Sequence, residues 1–161
     1  MKKKVLFTLS AAAMICSMSV IGVSAATIDQ DSNPKSADTD ISVEISPSYA
    51  VTIPEDTEIV FGDTKTDFDS VELSQAQLEV GKSVKVSVEA GALTNTDDET
   101  KTIPYTVMAG DAEFAGAEYT AEGQSTDLTL AVTRDAWDSA YAGTYEGTVT
   151  FTISYENVTT P

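Results

Sequence analysis

Two oxygen-rich runs hold the residues whose types and spacing could do chemistry. Asp63, Asp67 and Asp69 form one, and Asn95, Asp97, Asp98 and Glu99 form the other. Calcium binds through several oxygen ligands supplied at loop spacing, so both runs are candidate calcium loops, although neither follows EF-hand spacing. Acidic turns between strands more commonly serve only to keep the surface hydrated. No cofactor is expected, and calcium is the metal for which these residues are candidates.

Catalytic constellations are scarcer. Histidine is absent and the single cysteine is Cys16. Serine–histidine and cysteine–histidine nucleophile systems are therefore excluded, as are imidazole metal sites. A pair of carboxylates can do general acid–base work. Among 26 acidic residues, however, some will sit close together by chance, and the sequence marks no aromatic cleft beside them. The expectation is a protein that is not an enzyme. Tyr119, Trp137 and Tyr141 are the aromatic residues that a carbohydrate-binding platform would have to use.

The remaining singular residues read as structural. Trp137, the sole tryptophan, lies next to a turn signal and is expected to plug one end of the core. Gly143 precedes Tyr145 at the start of a late strand, the arrangement in which a tyrosine hydroxyl bonds back to upstream backbone. Gly143 is expected to take a positive φ, and Gly147 to mark a bulge.

Strands must position all of these. From Thr144 to Glu156 the chain alternates, with Tyr145, Gly147, Val149, Phe151, Ile153 and Tyr155 on one face and polar residues on the other. Side chains of a strand switch faces at every residue, so the run predicts one long strand with a single apolar face. Val149, Phe151 and Ile153 make it the segment around which the rest is expected to be organised. Ile41, Val43 and Ile45 alternate in the same way, and Tyr49, Val51 and Ile53 continue beyond Pro47. Together they predict an edge strand bent at a proline.

A short strand over Glu58–Phe61 and an acidic loop over 63–70 come next. Alternation returns at Val71–Val80 and at Val84–Val88, and a polar loop fills 91–101. Ile103–Val107 predicts another strand. Residues 112–124 are ambiguous, with one weak strand around Phe114–Tyr119, and Leu128–Val132 alternates clearly. Thr133 or Asp135 can cap one helical turn carrying Trp137. Seven to eight short strands with no long helical pattern predict an all-β fold, an Ig-like antiparallel β-sandwich over residues 40–158.

Residues 1–25 read as a secretory signal peptide. Lys2, Lys3 and Lys4 precede an apolar stretch, and Val23-Ser24-Ala25 supplies the small-residue cleavage site, with cleavage after Ala25 or after Ala26. Residues 26–39 read as a flexible acidic leader and 159–161 as a short tail. Removing the signal takes the only cysteine with it, so no disulfide is expected. It also takes three lysines, moving the formal charge from −17 to −20. Such a charge disfavours nucleic acid and anionic lipid as partners, and no transmembrane segment is expected in the mature chain.

The segment Ala142–Tyr155, AGTYEGTVTFTISY, resembles the closing strand of bacterial fimbrial and spore-coat-U-like modules. The segment Tyr49–Pro54, YAVTIP, resembles small secreted surface proteins of Gram-positive bacteria. The resemblance implies an Ig-like sandwich in a surface or pilus-type assembly, secreted or held at the cell surface. The function expected is surface association or adhesion, with other surface proteins or cell-wall and host glycans as partners. A self-assembling pilin- or fibre-like subunit is the alternative, and a carbohydrate-binding module the further one.

Overall fold

Alternating hydrophobicity and two backbone irregularities account for most of the architecture in the computed structural model, which describes residues 27–159. The signal peptide expected over 1–25 lies outside the described residues, as do Thr160 and Pro161 of the expected tail. Strand makes up 47% and helix 4% of what is described, so the chain is all-β. Residues up to Ser46 and residues from Pro47 onward form two separate units.

In the first unit, residues 27–46 contain no strand. The strand expected over Ile41–Ile45 is not there. Those three side chains are 94%, 84% and 63% exposed. The second unit begins with β1 (Ser48–Thr52), β2 (Lys65–Gln77), β3 (Lys82–Ala90) and β4 (Ala92–Asn95). It continues with β5 (Thr102–Pro104), β6 (Thr106–Ala109), β7 (Ala112–Glu113), β8 (Gly116–Tyr119) and β9 (Ser125–Ala131). The helix α1 (Arg134–Asp138) separates these from β10 (Tyr145–Glu146) and β11 (Val149–Asn157). All pairings are antiparallel. They build a five-stranded sheet ordered β1-β2-β9-β6-β7 and two three-stranded sheets, β11-β3-β8 and β10-β4-β5.

The acidic loop expected over residues 63–70 is instead largely the first half of β2. Its register on β9 shifts between Asp67 and Ser70, where Asp69 takes φ +61. A bulge of this kind inserts one extra residue and resets the alternation. Phe68 and Val71, three apart, therefore both face the core. The carboxylates stabilise the irregularity: the Asp69 amide donates to Asp67 Oδ1 at 3.3 Å and the Ser70 amide to Asp69 Oδ1 at 2.8 Å. The strand expected over Glu58–Phe61 is also absent. That stretch is irregular and ends in a turn closed by the Asp63 amide on the Val60 carbonyl.

One apolar core is shared by the five-stranded sheet and by β3 and β8. Val71 and Leu73 of β2, Val84 and Val86 of β3, and Leu128 of β9 are wholly shielded from solvent. Each contributes about 1.5–3 kcal/mol of burial free energy before entropy is counted. The organising centre therefore lies in these strands and not in β11, whose Val149, Phe151 and Ile153 are only half-buried. β11 has a strand neighbour on one side only.

The long run expected over 144–156 is also interrupted. β10 joins β4, whereas β11 joins β3. The break falls at Gly147, where a Cβ would press within 3.0 Å of Leu93 and 3.2 Å of the Ala92 carbonyl. The strand expected over Ile103–Val107 divides likewise, with β5 in one sheet and β6 in another. Among the described residues no helix is long and apolar enough to cross a membrane.

Candidate functional site

Where β10 gives way to β11, the chain leaves an open groove of about 1270 Å³. One wall is the irregular stretch from Ile53 to Phe61, and the other runs from Ala140 to Val149. Core residues Phe68, Ile103 and Leu130 reach its surface from below, with half-buried Phe151 beside them. Phe68 and Phe151 meet there with ring centroids 6.2 Å apart.

The walls are fixed by four hydrogen-bonding devices. Thr133 caps α1 by accepting from the Ala136 amide at 3.2 Å. The helix thereby presents Trp137, whose Nε1 donates to the Asp63 carbonyl at 2.7 Å and whose ring meets the edge of Phe61 at 5.5 Å. The Tyr145 hydroxyl donates back to the Tyr141 carbonyl at 3.1 Å, closing the Tyr141–Tyr145 corner. The Tyr105 hydroxyl donates to the Thr148 carbonyl at 3.0 Å, and burial pushes its pKa upward. Tyr141 stands exposed on the rim with the Lys101 ammonium 4.8 Å above its ring.

Glu55, Asp56, Glu58 and Glu146 also line the groove, giving an apolar floor with acidic margins. The one ion pair among the described residues, Lys65–Asp111 at 3.6 Å, is exposed on both sides and offsets little of the surface charge. The start of β11, Val149 and Phe151, borders the groove, and the outer backbone edge of this strand has no strand neighbour. Toward the far end of β11 the contacts are made by a side chain. Tyr155 stacks on Tyr49 at 5.7 Å and accepts the Glu79 amide at 2.9 Å. The residues of β11 that line the groove are Val149 and Phe151.

Of the residues singled out as calcium ligands, Asp67, Asp69, Asn95 and Asp98 use a side-chain oxygen to accept from nearby backbone amides. Asp67 and Asp69 lie at the β2 bulge, and the Asp63 carbonyl holds Trp137. Asn95 is 4% exposed, and its Oδ1 accepts from the amides of Asp97 at 2.9 Å and Asp98 at 3.0 Å. Asp98 Oδ1 in turn accepts from the Thr100 hydroxyl at 2.6 Å and the Thr100 amide at 3.0 Å, which holds its carboxyl below the ordinary value. Glu99 is exposed. Among the described residues, no three histidine, cysteine or acidic side chains converge as a metal site.

Asn95 has a further neighbour that spacing did not reveal. Gly143, at φ +152, packs so closely that a Cβ there would overlap the Asn95 side-chain amide. The polar loop and the groove wall are thus locked together across the β4–β10 pairing, in which Tyr145 stands opposite Asn95.

The three aromatic residues of the expected platform do not assemble. Tyr119 is buried elsewhere, donating to Thr126 Oγ1 at 2.8 Å and to the Val71 carbonyl at 3.4 Å. Trp137 and Tyr141 do line the groove, joined by Phe61 and Tyr105, which alternation assigned only to strands. No protein-family model matches this chain, and no curated protein sequence matches it.

Proposed function

We propose that this chain is an exported, non-enzymatic module of Ig-like β-sandwich type that acts in surface association, with the groove and the open edge of β11 as its contact. The single observation that carries this is the unpaired edge of β11, whose Val149 and Phe151 line an aromatic groove. An unpaired strand edge is a template for another extended chain, and soluble proteins ordinarily blunt such edges. Aromatic side chains along it supply the large contact area that anchors partners. The core shared between sheets supports the sandwich, and the signal-peptide pattern of residues 1–25 supports export to the cell surface or medium. The fimbrial-like segment Ala142–Tyr155 supports membership of a surface assembly. Other surface proteins or cell-wall and host glycans are the partners this reading expects.

The test is binding of the exported protein to intact producer cells and isolated cell walls. Phe61→Ser with Tyr141→Ser alters two side chains that are 78% and 65% exposed, which spares the core. Loss of two aromatic contacts is expected to weaken saturable binding about tenfold or more. Unchanged binding by a variant with a native dichroism spectrum would refute the groove as the contact.

A second reading, the self-assembling subunit, is favoured by one specific observation: the exposed alternation at Ile41, Val43 and Ile45. Carbohydrate recognition is left with Trp137 and Tyr141 alone of its three candidates.

A further inference from the structure

Four carboxylates stand around the groove with no positive charge to answer them. Glu55, Asp56 and Glu58 lie along one wall and Glu146 along the other, and all four are exposed. Among the described residues the single ion pair is Lys65–Asp111, so none of the four has a cationic partner there. Between the acids lies a floor of Phe68, Ile103 and Leu130. Acidic margins over an apolar floor match one kind of side chain. Lysine and arginine lay a methylene stem on apolar surface and keep a charged head at its edge. Arginine also stacks on aromatic rings and grips carboxylates with its planar fork.

The rim already holds one contact of this type. The Lys101 ammonium lies 4.8 Å above the Tyr141 ring. That is within the range of about 6 Å over which a cation is drawn to an aromatic face. Phe61, exposed on the opposite wall, and Trp137 beside it offer further rings.

Size and charge narrow the occupant. At about 1270 Å³ the groove is larger than a small-molecule pocket of about 300–1,000 Å³, so it suits a length of polymer. A second copy of this chain is disfavoured, because 26 acidic residues stand against nine basic ones and like charges would meet. An uncharged glycan would leave all four carboxylates unanswered.

We propose that the groove takes an extended, lysine- or arginine-bearing peptide segment of another protein. Its stems lie on the apolar floor, and its charged heads reach the acidic margins and the faces of Tyr141 and Phe61. The inference rests on the reading of the groove as the contact surface and names the chemistry of what fills it. Lys101 acts here as an internal stand-in, occupying the ring that an incoming cation would use.

The experiment is titration calorimetry of the exported protein with hexaarginine, and with hexacitrulline, which keeps the stems and lacks the charge. Binding of hexaarginine is expected to weaken between about 0.05 M and about 0.5 M sodium chloride, as the screening length shortens severalfold. Hexacitrulline should give no measurable binding. Because the whole chain is acidic, location is tested at matched charge. Glu58→Gln/Glu146→Gln removes one exposed acid from each wall, and Glu113→Gln/Asp127→Asn removes two exposed acids that do not line the groove. The first variant should bind hexaarginine about fivefold or more weakly, and the second within about twofold of the natural protein. Lys101→Ala bares the Tyr141 face and should tighten binding about twofold or more, whereas Lys85→Ala on β3 should leave it unchanged. Hexaarginine should also displace the natural protein from intact producer cells.

Equal weakening by the two acid variants, or hexacitrulline binding as tightly as hexaarginine, would overturn the cationic occupant. The groove itself is judged separately, by Phe61→Ser with Tyr141→Ser on intact cells. Loss of cell binding in that variant, with hexaarginine unable to bind or displace the natural protein, would overturn this inference and leave the groove as the contact for an uncharged glycan. Retained cell binding in that variant would overturn the groove reading and this inference with it.

Discussion

Replacing Asn95 by alanine is the sharpest probe of how the groove wall is built. The substitution removes the acceptor of two amide hydrogen bonds, at 2.9 and 3.0 Å, while leaving every carboxylate of the loop in place. Each bond contributes about 0.5–1.5 kcal/mol net, and the amides of exposed Asp97 and Asp98 can turn to water, so the expected loss is about 1–3 kcal/mol. For a domain of this size that is a fall in Tm of about 5–15 °C. Asn95→Asp keeps the acceptor and should cost less than half as much.

Gly143→Ala supplies the second arm. Alone it introduces a Cβ at φ +152 against the Asn95 amide. Combined with Asn95→Ala it finds that space vacated, so the double variant should be about 1 kcal/mol better than additivity. Calorimetry with and without millimolar calcium reads all five proteins. A cost for Asn95→Ala under about 0.5 kcal/mol would refute the capping argument, since a cap of this kind is worth more. So would a calcium-dependent rise in Tm that disappears in that variant, because the loop would then be a metal site.

Other substitutions test the core and the titrating groups. Leu128→Ala, at a fully shielded position of β9, should cost about 2–5 kcal/mol in denaturant unfolding, and Ile153→Ala in half-buried β11 about half of that. Equal costs would restore β11 as the organising strand. On the alkaline side, burial raises the pKa of Tyr119 and Tyr105 above their ordinary value of 10.0. The folded state then holds protons that the unfolded state releases, so stability is level below about pH 10 and falls above it. Tyr119→Phe should flatten that fall in a Tm series run to high pH. On the acid side, the Ser83 hydroxyl at 2.6 Å and then the Thr159 amide at 3.0 Å hold the Glu118 carboxyl below its ordinary 4.5. That contribution is present above pH 4.5 and lost as pH falls through the lowered value. Glu118→Gln should reduce the acid dependence.

Alternation made β3, β9 and the capped turn around Trp137 legible, because each is a local pattern with a local cause. It also described β11, yet it could not say that β11 lies at an edge. A strand with one neighbour and a strand with two carry the same period, and only the pairing partners differ. β2 was hidden for another reason. Its bulge at Asp69 breaks the period of two, and the acids that hold the bulge read as a loop. The splits after Pro104 and at Gly147 preserved the phase of the alternation, so a chain crossing between sheets looked continuous. At Ile41–Ile45 the period was present but the backbone partner was not. The groove was out of reach because its floor joins residues as distant in the chain as Phe68 and Phe151.

The solitary indole has a practical consequence. Trp137 is the only tryptophan in the sequence, and it is fixed between the Asp63 carbonyl and the Phe61 ring at one end of the groove. Its fluorescence therefore comes from a single place whose surroundings are known. Emission colour, quenching and anisotropy each read out the wetting and stiffness of that corner, with no label and no second chromophore of its kind to subtract.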